Sequence, residues 1–380
     1  MKASKINNND KSLGKALLHI ISSSGYYGAE HVLVQYCRWL TEYHHYILCL
    51  CSDHKTLDLL VQEMETENTS VYGVVGHKLS LLTLVKYSRQ LLINKNITAI
   101  NCHGYKELWV ALFVSYKLSI PIIMIQHGFT RRSVKMLCYQ WLNIQCCRFK
   151  KVYKVICVAN EIADIYLAGG VHSDKITIIP NSVDIMNKAL CENIAENVID
   201  SESYYMFAFV GRLSVEKGPD LFLKVYHCFL QCYPQDTPVN AVIIGDGPFQ
   251  QKLVKVIEQN DKWQVKWVGY QSEIKHWLQR INILLITSRN EGTPLCALEA
   301  MAIGVPVIAF SVGGLVDLIE HEQTGLLIPP NDINCFADAM HRLLHEDKLR
   351  EKIIQNAQAK VRLLNSQSRE RLNTCYQQLI

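Results

Sequence analysis

The sequence predicts an α/β protein built from two Rossmann-like domains, each a doubly wound parallel sheet, that face each other across a cleft. The chain has 380 residues, which suits two domains of ordinary size. Short runs of branched apolar residues alternate with stretches of helical spacing, as in parallel sheets joined by crossover helices. In composition, 49% of the residues are hydrophobic and 19% are charged, which excludes disordered and collagen-like chains.

The first half contains five short apolar runs that we predict to be strands buried on both faces. They span residues 16–21, 46–50, 98–100, 121–125 and 154–158. Amphipathic helices are predicted between them, for example at residues 30–41 and 80–93. This alternation predicts a parallel sheet with right-handed crossovers.

The second half repeats the alternation with six further runs. They span residues 206–210, 241–244, 265–268, 283–286, 307–309 and 325–328. Turn-forming residues at 179–184 mark the seam between the halves, and a helical pattern covers residues 349–379. We therefore predict a polar flexible start at 1–15, a first domain at 16–182, a second domain at 183–355 and a last helix at 356–380.

The charge is distributed unevenly between the two halves. The net charge of +4 is too small to indicate nucleic-acid binding. Residues 1–180 hold 20 Lys and Arg against 12 Asp and Glu, whereas residues 181–380 hold 19 against 23. A basic half and an acidic half predict different partners for the two domains.

The 14 cysteines are predicted to be free thiols. No Cys-x-x-Cys pair occurs, so a zinc site is not indicated. The polar start and the short apolar run after it do not resemble a signal peptide, which favours a reducing, cytoplasmic location. The most apolar stretch, residues 108–125, contains Lys117 and Pro121 and is predicted to be helix, turn and strand rather than a membrane span.

Ligands of doubly wound sheets collect at the carboxyl ends of the strands, so phosphate-binding patterns are expected in the segments after the predicted strands. The segment 245–249 lacks the third glycine of a dinucleotide fingerprint, and no P-loop lysine pattern occurs. A nicotinamide-dependent dehydrogenase is therefore not indicated.

The strongest chemical signal is segment 288–307, which follows a predicted strand. Thr293 and Pro294 are predicted to be the N-cap and the first residue of a helix. The amides of Leu295 and Cys296 would then be free at a helix N-terminus, an arrangement that suits a phosphate.

Two carboxylates border this predicted anion site. Glu291 lies just before the helix and Glu299 lies one turn into it. We expect both to accept hydrogen bonds from hydroxyl groups of a ligand. The alternative is a plain strand-to-helix turn with two solvated glutamates.

The second signal is segment 210–218, directly after another predicted strand. Gly211 and Gly218 permit a sharp turn and the close approach of a ligand. Arg212 offers planar donors to phosphate oxygens and Lys217 offers a mobile charge. With the helix N-terminus they would hold a diphosphate without a metal, and no Asp-x-Asp pair occurs as a metal ligand. Two surface cations in a turn are the alternative.

Together, the motifs resemble those of the retaining glycosyltransferases of family 4 (glycosyl transferases group 1), which have the GT-B fold. In the second half they are Gly211-Arg212-x4-Lys217-Gly218, Gly245-Asp-Gly-Pro248, Glu291-x7-Glu299, Gly313-Gly314 and Thr324-Gly325. In the first half they are Ser24-Gly25-Tyr-Tyr-Gly28, Asn101-Cys-His103-Gly104, Gln126-His127-Gly128 and residues 179–184.

The resemblance implies transfer of a sugar from a nucleotide-diphosphate sugar, held mainly by the second domain, to a glycan or lipid-linked acceptor. The implied donor contacts are Arg212 and Lys217 on the diphosphate, Glu299 on the ribose, Glu291 on the transferred sugar, Tyr270 and Gln271 near the base, Gly28 near the phosphates, and Thr293, Leu295 and Cys296 at the helix N-terminus. The implied catalytic residues are His127, Arg212, Lys217 and Glu291, and those on the acceptor side are Tyr26, Tyr27, His103 and Arg131.

The resemblance also implies a mechanism and one feature of the fold. The anomeric configuration is retained, a phosphate oxygen of the leaving group takes the acceptor's proton, and no metal or other cofactor is needed. A neutral His127 would donate a hydrogen bond to a hydroxyl of the transferred sugar. The last helix crosses back to the first domain.

Segment 131–154 offers an explanation for the basic half. It contains seven Lys and Arg, several aromatic residues and no acid. Such a segment suits contact with an anionic membrane at its cytosolic face, and the acceptor would then be lipid-linked. The alternative is an ordinary helix that packs Leu137, Trp141 and Ile144 on its own sheet and exposes a cationic face.

Two other functions stay open. One is a GT-B nucleotide-sugar epimerase, and the other is a non-catalytic nucleotide-sugar-binding protein. The presence of Arg212, Lys217, Glu291 and Glu299 in one chain favours transfer over simple binding.

Overall fold

The computed structural model divides the chain into two compact units. One comprises Met1–Asn181 with Gln367–Ile380, and the other comprises Ser182–Ser366. The structure describes residues 4–6, 14–23, 25, 27–51, 53–64, 68–75, 81–128, 134–183, 204–234, 238–271 and 273–379. Each unit is a parallel sheet with helices, so the predicted Rossmann-like fold class is confirmed.

The first unit contains eight strands among its described residues. They are β1 (Ser4–Ile6), β2 (Ala16–Ser23), β3 (His44–Cys51), β4 (Thr69–Val75), β5 (Ile97–Cys102), β6 (Ile122–Gln126), β7 (Val152–Cys157) and β8 (Ile176–Ile178). Their order in the sheet is β1-β4-β3-β2-β5-β6-β7-β8, and every pairing is parallel except that of β1 with β4. All eight residues of β3 are buried, as expected for a strand covered on both faces.

Six helices accompany this sheet in the described part of the first unit. They are α1 (Gly28–Trp39), α2 (His54–Glu63), α3 (Leu81–Asn94), α4 (Tyr105–Val114), α5 (Val134–Cys147) and α6 (Asn160–Ala168). The predicted strands of this half do not include β4, because Thr69, Ser70 and Gly73 interrupt its apolar run. They also do not include β1, which lies in the start predicted to be flexible, or the three-residue β8.

The second unit contains six parallel strands among its described residues. They are β9 (Tyr205–Val210), β10 (Val239–Ile244), β11 (Val265–Gly269), β12 (Ile283–Ile286), β13 (Val307–Phe310) and β14 (Leu326–Ile328), in the order β11-β10-β9-β12-β13-β14. The helices are α7 (Pro219–Cys232), α8 (Gln250–Glu258), α9 (Ile274–Leu278), α10 (Leu295–Ile303), α11 (Leu315–Leu318), α12 (Ile333–His345) and α13 (Asp347–Gln377). All six predicted strands of this half are present.

The end of α13 packs in the first unit. The Tyr376 hydroxyl donates to Asn101 Oδ1 at 2.9 Å, and the Tyr43 hydroxyl donates to the Tyr376 carbonyl at 3.2 Å. Arg371 donates to the carbonyl of Ile178 at 3.0 Å. The last helix therefore crosses back to the first unit, as the GT-B resemblance implied.

None of the described helices combines the length and the hydropathy that a membrane span requires.

Candidate functional site

The two segments singled out in the second half lie side by side. The turn at 211–218 follows β9 and the loop at 287–294 follows β12, and these strands are paired neighbours in the sheet. Because the strands are parallel, both segments emerge at the same edge of the sheet. Residues 74 positions apart in the chain are thereby brought into contact.

Lys217 and Glu291 form the centre of this site. The Lys217 ammonium donates to both carboxylate oxygens of Glu291, at 2.7 and 2.6 Å, and the Ser288 hydroxyl donates to Glu291 Oε1 at 2.6 Å. The Glu291 side chain is only 4% exposed, whereas that of Lys217 is 33% exposed. Burial by itself lowers the pKa of Lys217, but the neighbouring carboxylate outweighs burial and the pKa is raised. Lys217 is therefore a fixed cation with one accessible side.

A second ion pair fastens the turn to the loop. Arg289 donates to both carboxylate oxygens of Asp220, at 2.9 and 2.7 Å. The Arg289 guanidinium also donates to the Val215 carbonyl at 2.8 Å, and its backbone N–H donates to the Glu216 carbonyl at 2.7 Å. Because a bidentate pair of this kind fixes the relative orientation of its two partners, it keeps the turn and the loop in register. The sequence alone indicates no role for Ser288, Arg289 or Asp220, because only the strand order shows which segment each of them meets.

Two glycines allow the backbone to approach closely here. Gly218 has φ +66°, and a Cβ there would lie 2.1 Å from the Thr287 carbonyl oxygen. Gly313 has φ +53°, and a Cβ there would lie 2.0 Å from the carbonyl oxygen of Glu291. Both positions therefore require glycine for conformation and for space.

Gly313→Ala is expected to lower the free energy of unfolding by about 2–4 kcal/mol, because a positive φ and a backbone clash are imposed together. Gly269→Ala is the matched control, since Gly269 also has a positive φ, +72°, but its nearest neighbour would be a Trp267 side-chain atom at 3.8 Å. The control should lose only about 1 kcal/mol. Urea denaturation of both variants measures the difference, and equal losses would contradict the predicted clash with Glu291.

The helix expected after Thr293 begins one residue later than predicted. The N-cap of α10 is Pro294, with φ −72° and ψ 124°, and it makes no side-chain capping hydrogen bond. The prediction of Thr293 as the cap is wrong because the extended ψ of Pro294 keeps that residue outside the helix. Thr293 is buried just before it. Leu295 and Cys296 form the first turn as predicted, and burial raises the pKa of the Cys296 thiol to about 12.

Glu299 lies in the second turn of α10 and is partly buried. Burial raises the pKa of its carboxyl group from 4.5 to about 7, and Lys275 offsets part of this shift. The carboxyl group therefore changes charge near neutral pH.

The remaining predicted donor contacts of this unit lie at the ends of two other strands. Arg212 follows β9 and is exposed. Tyr270 and Gln271 follow β11 and are partly buried. The Gln271 amide donates to the Val268 carbonyl at 2.9 Å and accepts from the Trp277 indole at 3.2 Å. The Gln271 side chain is thus already engaged within its own unit.

In the first unit, His103 follows β5 and His127 follows β6, and the two strands are neighbours. His103 Nδ1 lies 3.2 Å from His127 Nε2, and the two ring planes are inclined by only 12° with centroids 5.5 Å apart. Burial lowers the pKa of both rings, that of His127 to about 4. His127 is therefore neutral at pH 7.

The predicted glycine loop is described only in part. Tyr27 is the N-cap of α1, where its backbone N–H donates to Glu30 Oε2 at 2.9 Å, and exposed Gly28 is the first helical residue. Tyr26 and Arg131, predicted on the acceptor side, lie outside the described residues.

Helix α5 exposes apolar side chains that one alternative placed against the sheet. Ile144 is buried as that alternative required, but Trp141 is 63% exposed and Leu137 is 49% exposed. The expectation that all three residues pack on the sheet is wrong, because only one side of α5 meets the core.

Two protein-family models match the chain. The model described as Glycosyltransferase Family 4 matches residues 26–186, and the model described as Glycosyl transferases group 1 matches residues 192–378. A relative from Escherichia coli, "UDP-Gal:alpha-D-GlcNAc-diphosphoundecaprenol alpha-1,3-galactosyltransferase", is 29% identical over 296 residues, which are 74% of each chain.

Solved structures also match over nearly the whole chain. HepE from Anabaena, solved in complex with UDP, aligns with a TM-score of 0.75 and 22% identity, covering 94% of this chain and all of that one. Sucrose-phosphate synthase from Thermosynechococcus elongatus aligns with a TM-score of 0.76 and 18% identity, covering 96% of this chain and 99% of that one. At these identities the structures establish the likeness of fold.

Proposed function

Because this chain belongs to family 4 of the glycosyltransferases, we propose that it transfers a sugar from a nucleotide-diphosphate sugar to a hydroxyl of a lipid-linked glycan, with retention of configuration. The observation that carries the proposal is the Lys217–Glu291 pair beside the N-terminus of α10. The pair holds a fixed cation next to the free amides at a helix N-terminus. A cation beside free helix amides is an arrangement that suits a diphosphate.

The chemistry of transfer matches these groups. Cleavage of the anomeric bond puts negative charge on the leaving diphosphate while the sugar becomes cationic. In the proposed reaction, Lys217, Arg212 and the first amides of α10 stabilise the anion, and the Glu291 carboxylate accepts from sugar hydroxyls. A phosphate oxygen of the leaving group takes the acceptor's proton. The proposed reaction therefore uses neither a side-chain nucleophile nor a metal ion.

We propose that the donor is a UDP-sugar. The name of the Escherichia coli relative specifies UDP-Gal, and HepE was solved with UDP. A thermal-shift panel of nucleotide-sugars tests this proposal, because a ligand at 100 times its dissociation constant stabilises the protein by about 2.7 kcal/mol. Stabilisation by GDP- or ADP-sugars alone would overturn the choice of uridine.

Because the pKa of the Glu299 carboxyl group is about 7, we expect donor binding to depend on pH. An ionised carboxylate accepts from ribose hydroxyls better than a protonated one, so the dissociation constant of UDP-galactose should fall up to about tenfold between pH 6 and pH 8. Calorimetry measures it, and UDP-galactose has no phosphate that titrates in this range. Glu299→Gln should remove this pH dependence of binding.

The stability of the protein changes with pH in the opposite direction to donor binding. The pKa of the Glu299 carboxyl group is 4.5 in the unfolded chain and about 7 in the folded protein, so the free energy of unfolding decreases as the pH rises from 4.5 to 7.

We also propose that the acceptor is presented by an anionic membrane. Of the 14 large apolar side chains that are exposed among the described residues, ten lie between positions 82 and 149. They are Leu82, Ile93, Phe113, Tyr116, Leu118, Val134, Leu137, Trp141, Leu142 and Phe149. We call these ten residues the apolar surface.

Charge favours a membrane as the occupant of the apolar surface. The sequence from 81 to 154 holds twelve Lys and Arg and a single acid, Glu107, which is buried. Exposed Lys135 lies over the Tyr139 ring at 5.6 Å, and Arg89 lies over exposed Phe113 at 5.3 Å, so cations accompany the aromatic groups. Mixed aromatic and cationic surfaces bind the interface of anionic bilayers. These features support the proposed location at the cytosolic face of a membrane.

The proposed reaction is tested by incubating UDP-galactose with a polyprenyl-diphosphate-linked sugar and the purified protein. The expected product carries a new α-linkage, visible by NMR, and its formation is unaffected by EDTA. Inversion would overturn the retaining mechanism, and loss of activity in EDTA would overturn metal independence. An isomerised nucleotide-sugar formed without acceptor would favour the epimerase.

A further inference from the structure

Four histidines of the first unit form a continuous chain of ring contacts, which we call the histidine chain. His45 Nδ1 lies 3.1 Å from His19 Nε2. His19 Nδ1 lies 3.3 Å from His103 Nε2, and His103 Nδ1 lies 3.2 Å from His127 Nε2. The four residues lie on or directly after β3, β2, β5 and β6, which are consecutive neighbours in the sheet. The histidine chain therefore crosses four strands and ends at His127.

The His45 end of the histidine chain, which we call its far end, sets the direction of every hydrogen bond in the chain. His45 Nε2 lies 3.0 Å from the carbonyl oxygen of Leu40, which can only accept, so Nε2 carries the proton. A neutral imidazole has a single N–H, so His45 Nδ1 is bare and accepts from His19 Nε2–H. For the same reason, His19 Nδ1 is bare and accepts from His103 Nε2–H.

At the near end, this direction leaves His127 with a defined tautomer. His103 Nδ1 is bare and accepts from His127 Nε2–H. His127 Nδ1 then has a lone pair and no proton. This nitrogen is buried and has no hydrogen-bond partner within the described part of the chain.

An asparagine beside the histidine chain is compatible with this direction but does not set it. Asn101 Oδ1 accepts from the Tyr376 hydroxyl at 2.9 Å, which orients its amide nitrogen toward His19. Asn101 Nδ2 lies 3.4 Å from both ring nitrogens of His19, so it meets a bare nitrogen in either direction of the chain. Among the described contacts, the Leu40 carbonyl sets the direction.

All four rings are neutral at pH 7, so each carries a single N–H. Burial is the largest cause in each case: it lowers the pKa of His45 and His127 to about 4 and those of His19 and His103 well below the ordinary value. Neighbouring imidazoles lower the pKa of His19 and His103 further, because two charged rings would repel. His127 is therefore a weak base and acts as a hydrogen-bond acceptor.

We propose that His19, His45 and His103 are positioning residues that lock His127 in its Nε2–H tautomer, so that Nδ1 accepts a hydrogen bond from a hydroxyl group of the substrate. The donation from His127 expected from the sequence is then unavailable, since its single N–H is engaged by His103. The role in sugar transfer rests on the proposed function, whereas the tautomer does not.

Two other uses of the histidine chain fit less well. A proton path is blocked, because the chain ends on the Leu40 carbonyl, which cannot pass a proton on. His19, Cys37 and His45 also bring ligand atoms within 4.8 Å of one another, as a metal site would. However, burial raises the pKa of the Cys37 thiol, and a thiol is a poorer metal ligand than a thiolate.

The test is a two-bond ¹H–¹⁵N correlation spectrum of the ligand-free protein labelled in histidine, which reports the tautomer of each ring. The expected result is a protonated Nε2 and a bare Nδ1 on His127, assigned by loss of its signals in His127→Asn. A protonated Nδ1, or a metal bound to His19 and His45, would overturn the proposal. The tautomer is read from the unchanged protein, and His127→Asn serves only to assign the signals.

Variants then test the coupling. His45→Phe removes the acceptor at the far end and should shift His127 Nδ1 toward the average of two tautomers, whereas His45→Asn restores an acceptor oxygen and the locked signal. His44→Phe is the matched control, since His44 is buried on the same strand but pairs with the Ser70 hydroxyl at 2.9 Å. An unchanged His127 signal in folded His45→Phe would overturn the proposed coupling between His45 and His127.

Ligand additions show which hydroxyl His127 receives. UDP-galactose alone should move the Nδ1 signal if the hydroxyl belongs to the donor sugar, and the lipid-linked acceptor alone should do so if it belongs to the acceptor. A signal that neither substrate moves would overturn the contact. In the transfer assay, His45→Phe should lower kcat about tenfold and His44→Phe should not. A locked tautomer without any transfer activity would count against the proposed function alone.

Discussion

Lys217→Met is expected to lower the rate of sugar transfer by about two to three orders of magnitude, because it removes a preorganised cation from the leaving diphosphate. In the structure this cation is held by both oxygens of Glu291, so it needs no rearrangement before it meets a phosphate. Steady-state transfer from UDP-galactose measures the loss in kcat. Lys255→Met, at an exposed position on α8, is the control and should retain full activity.

Lys217→Met is expected to lower the stability of the protein as well as its activity, so the two effects are measured separately. Lys217→Met leaves Glu291 as a buried carboxylate without its cation, and losing one partner of a buried pair costs about 3–5 kcal/mol. The double variant Lys217→Met/Glu291→Gln removes both charges and should recover most of this stability without recovering activity. Full activity in a folded Lys217 variant would refute the diphosphate assignment.

Replacing Trp141 and Phe149 together with serine is expected to weaken binding to anionic vesicles by more than about a hundredfold. Trp141 is 63% exposed and Phe149 is 57% exposed, so neither is needed for the core. Each aromatic group transferred from water to the bilayer interface contributes about 1.5–3 kcal/mol at full burial. Co-sedimentation with vesicles containing phosphatidylglycerol measures the binding.

The control is the pair Val316→Ser and Leu363→Ser, whose side chains are 54% and 57% exposed on the second unit and are not part of the apolar surface. This pair should bind vesicles as the unchanged protein does. Added salt should weaken binding of the unchanged protein, because the cations of segment 131–154 contribute through screened attraction. Binding that is equal for neutral and anionic vesicles, or unaffected by the Trp141 and Phe149 changes, would contradict the membrane proposal.

The fold and the main donor motifs could be predicted from local sequence. Runs of branched apolar residues alternate with helical spacing, and this pattern alone determines strands buried between crossover helices. Because ligands bind at the carboxyl ends of such strands, Lys217 and Glu291 could be selected from their positions after predicted strands. The strands that were not predicted are β1, β4 and β8. They are only three residues long, or they contain polar residues or glycine that break the apolar pattern.

The contacts that complete each site depended on tertiary structure. Strand neighbours are set by the crossovers and not by local sequence, so Lys217 and Glu291 could be assigned to one site but their direct ion pair could not be predicted. His19 and His45 lie within apolar strands, where a single histidine carries no signal of its own. Helix α5 is apolar on more than one side, and only packing decided that Ile144 is buried while Trp141 is exposed. The sequence by itself therefore determined the elements and their chemistry, whereas the order of strands in each sheet decided which side chains act together.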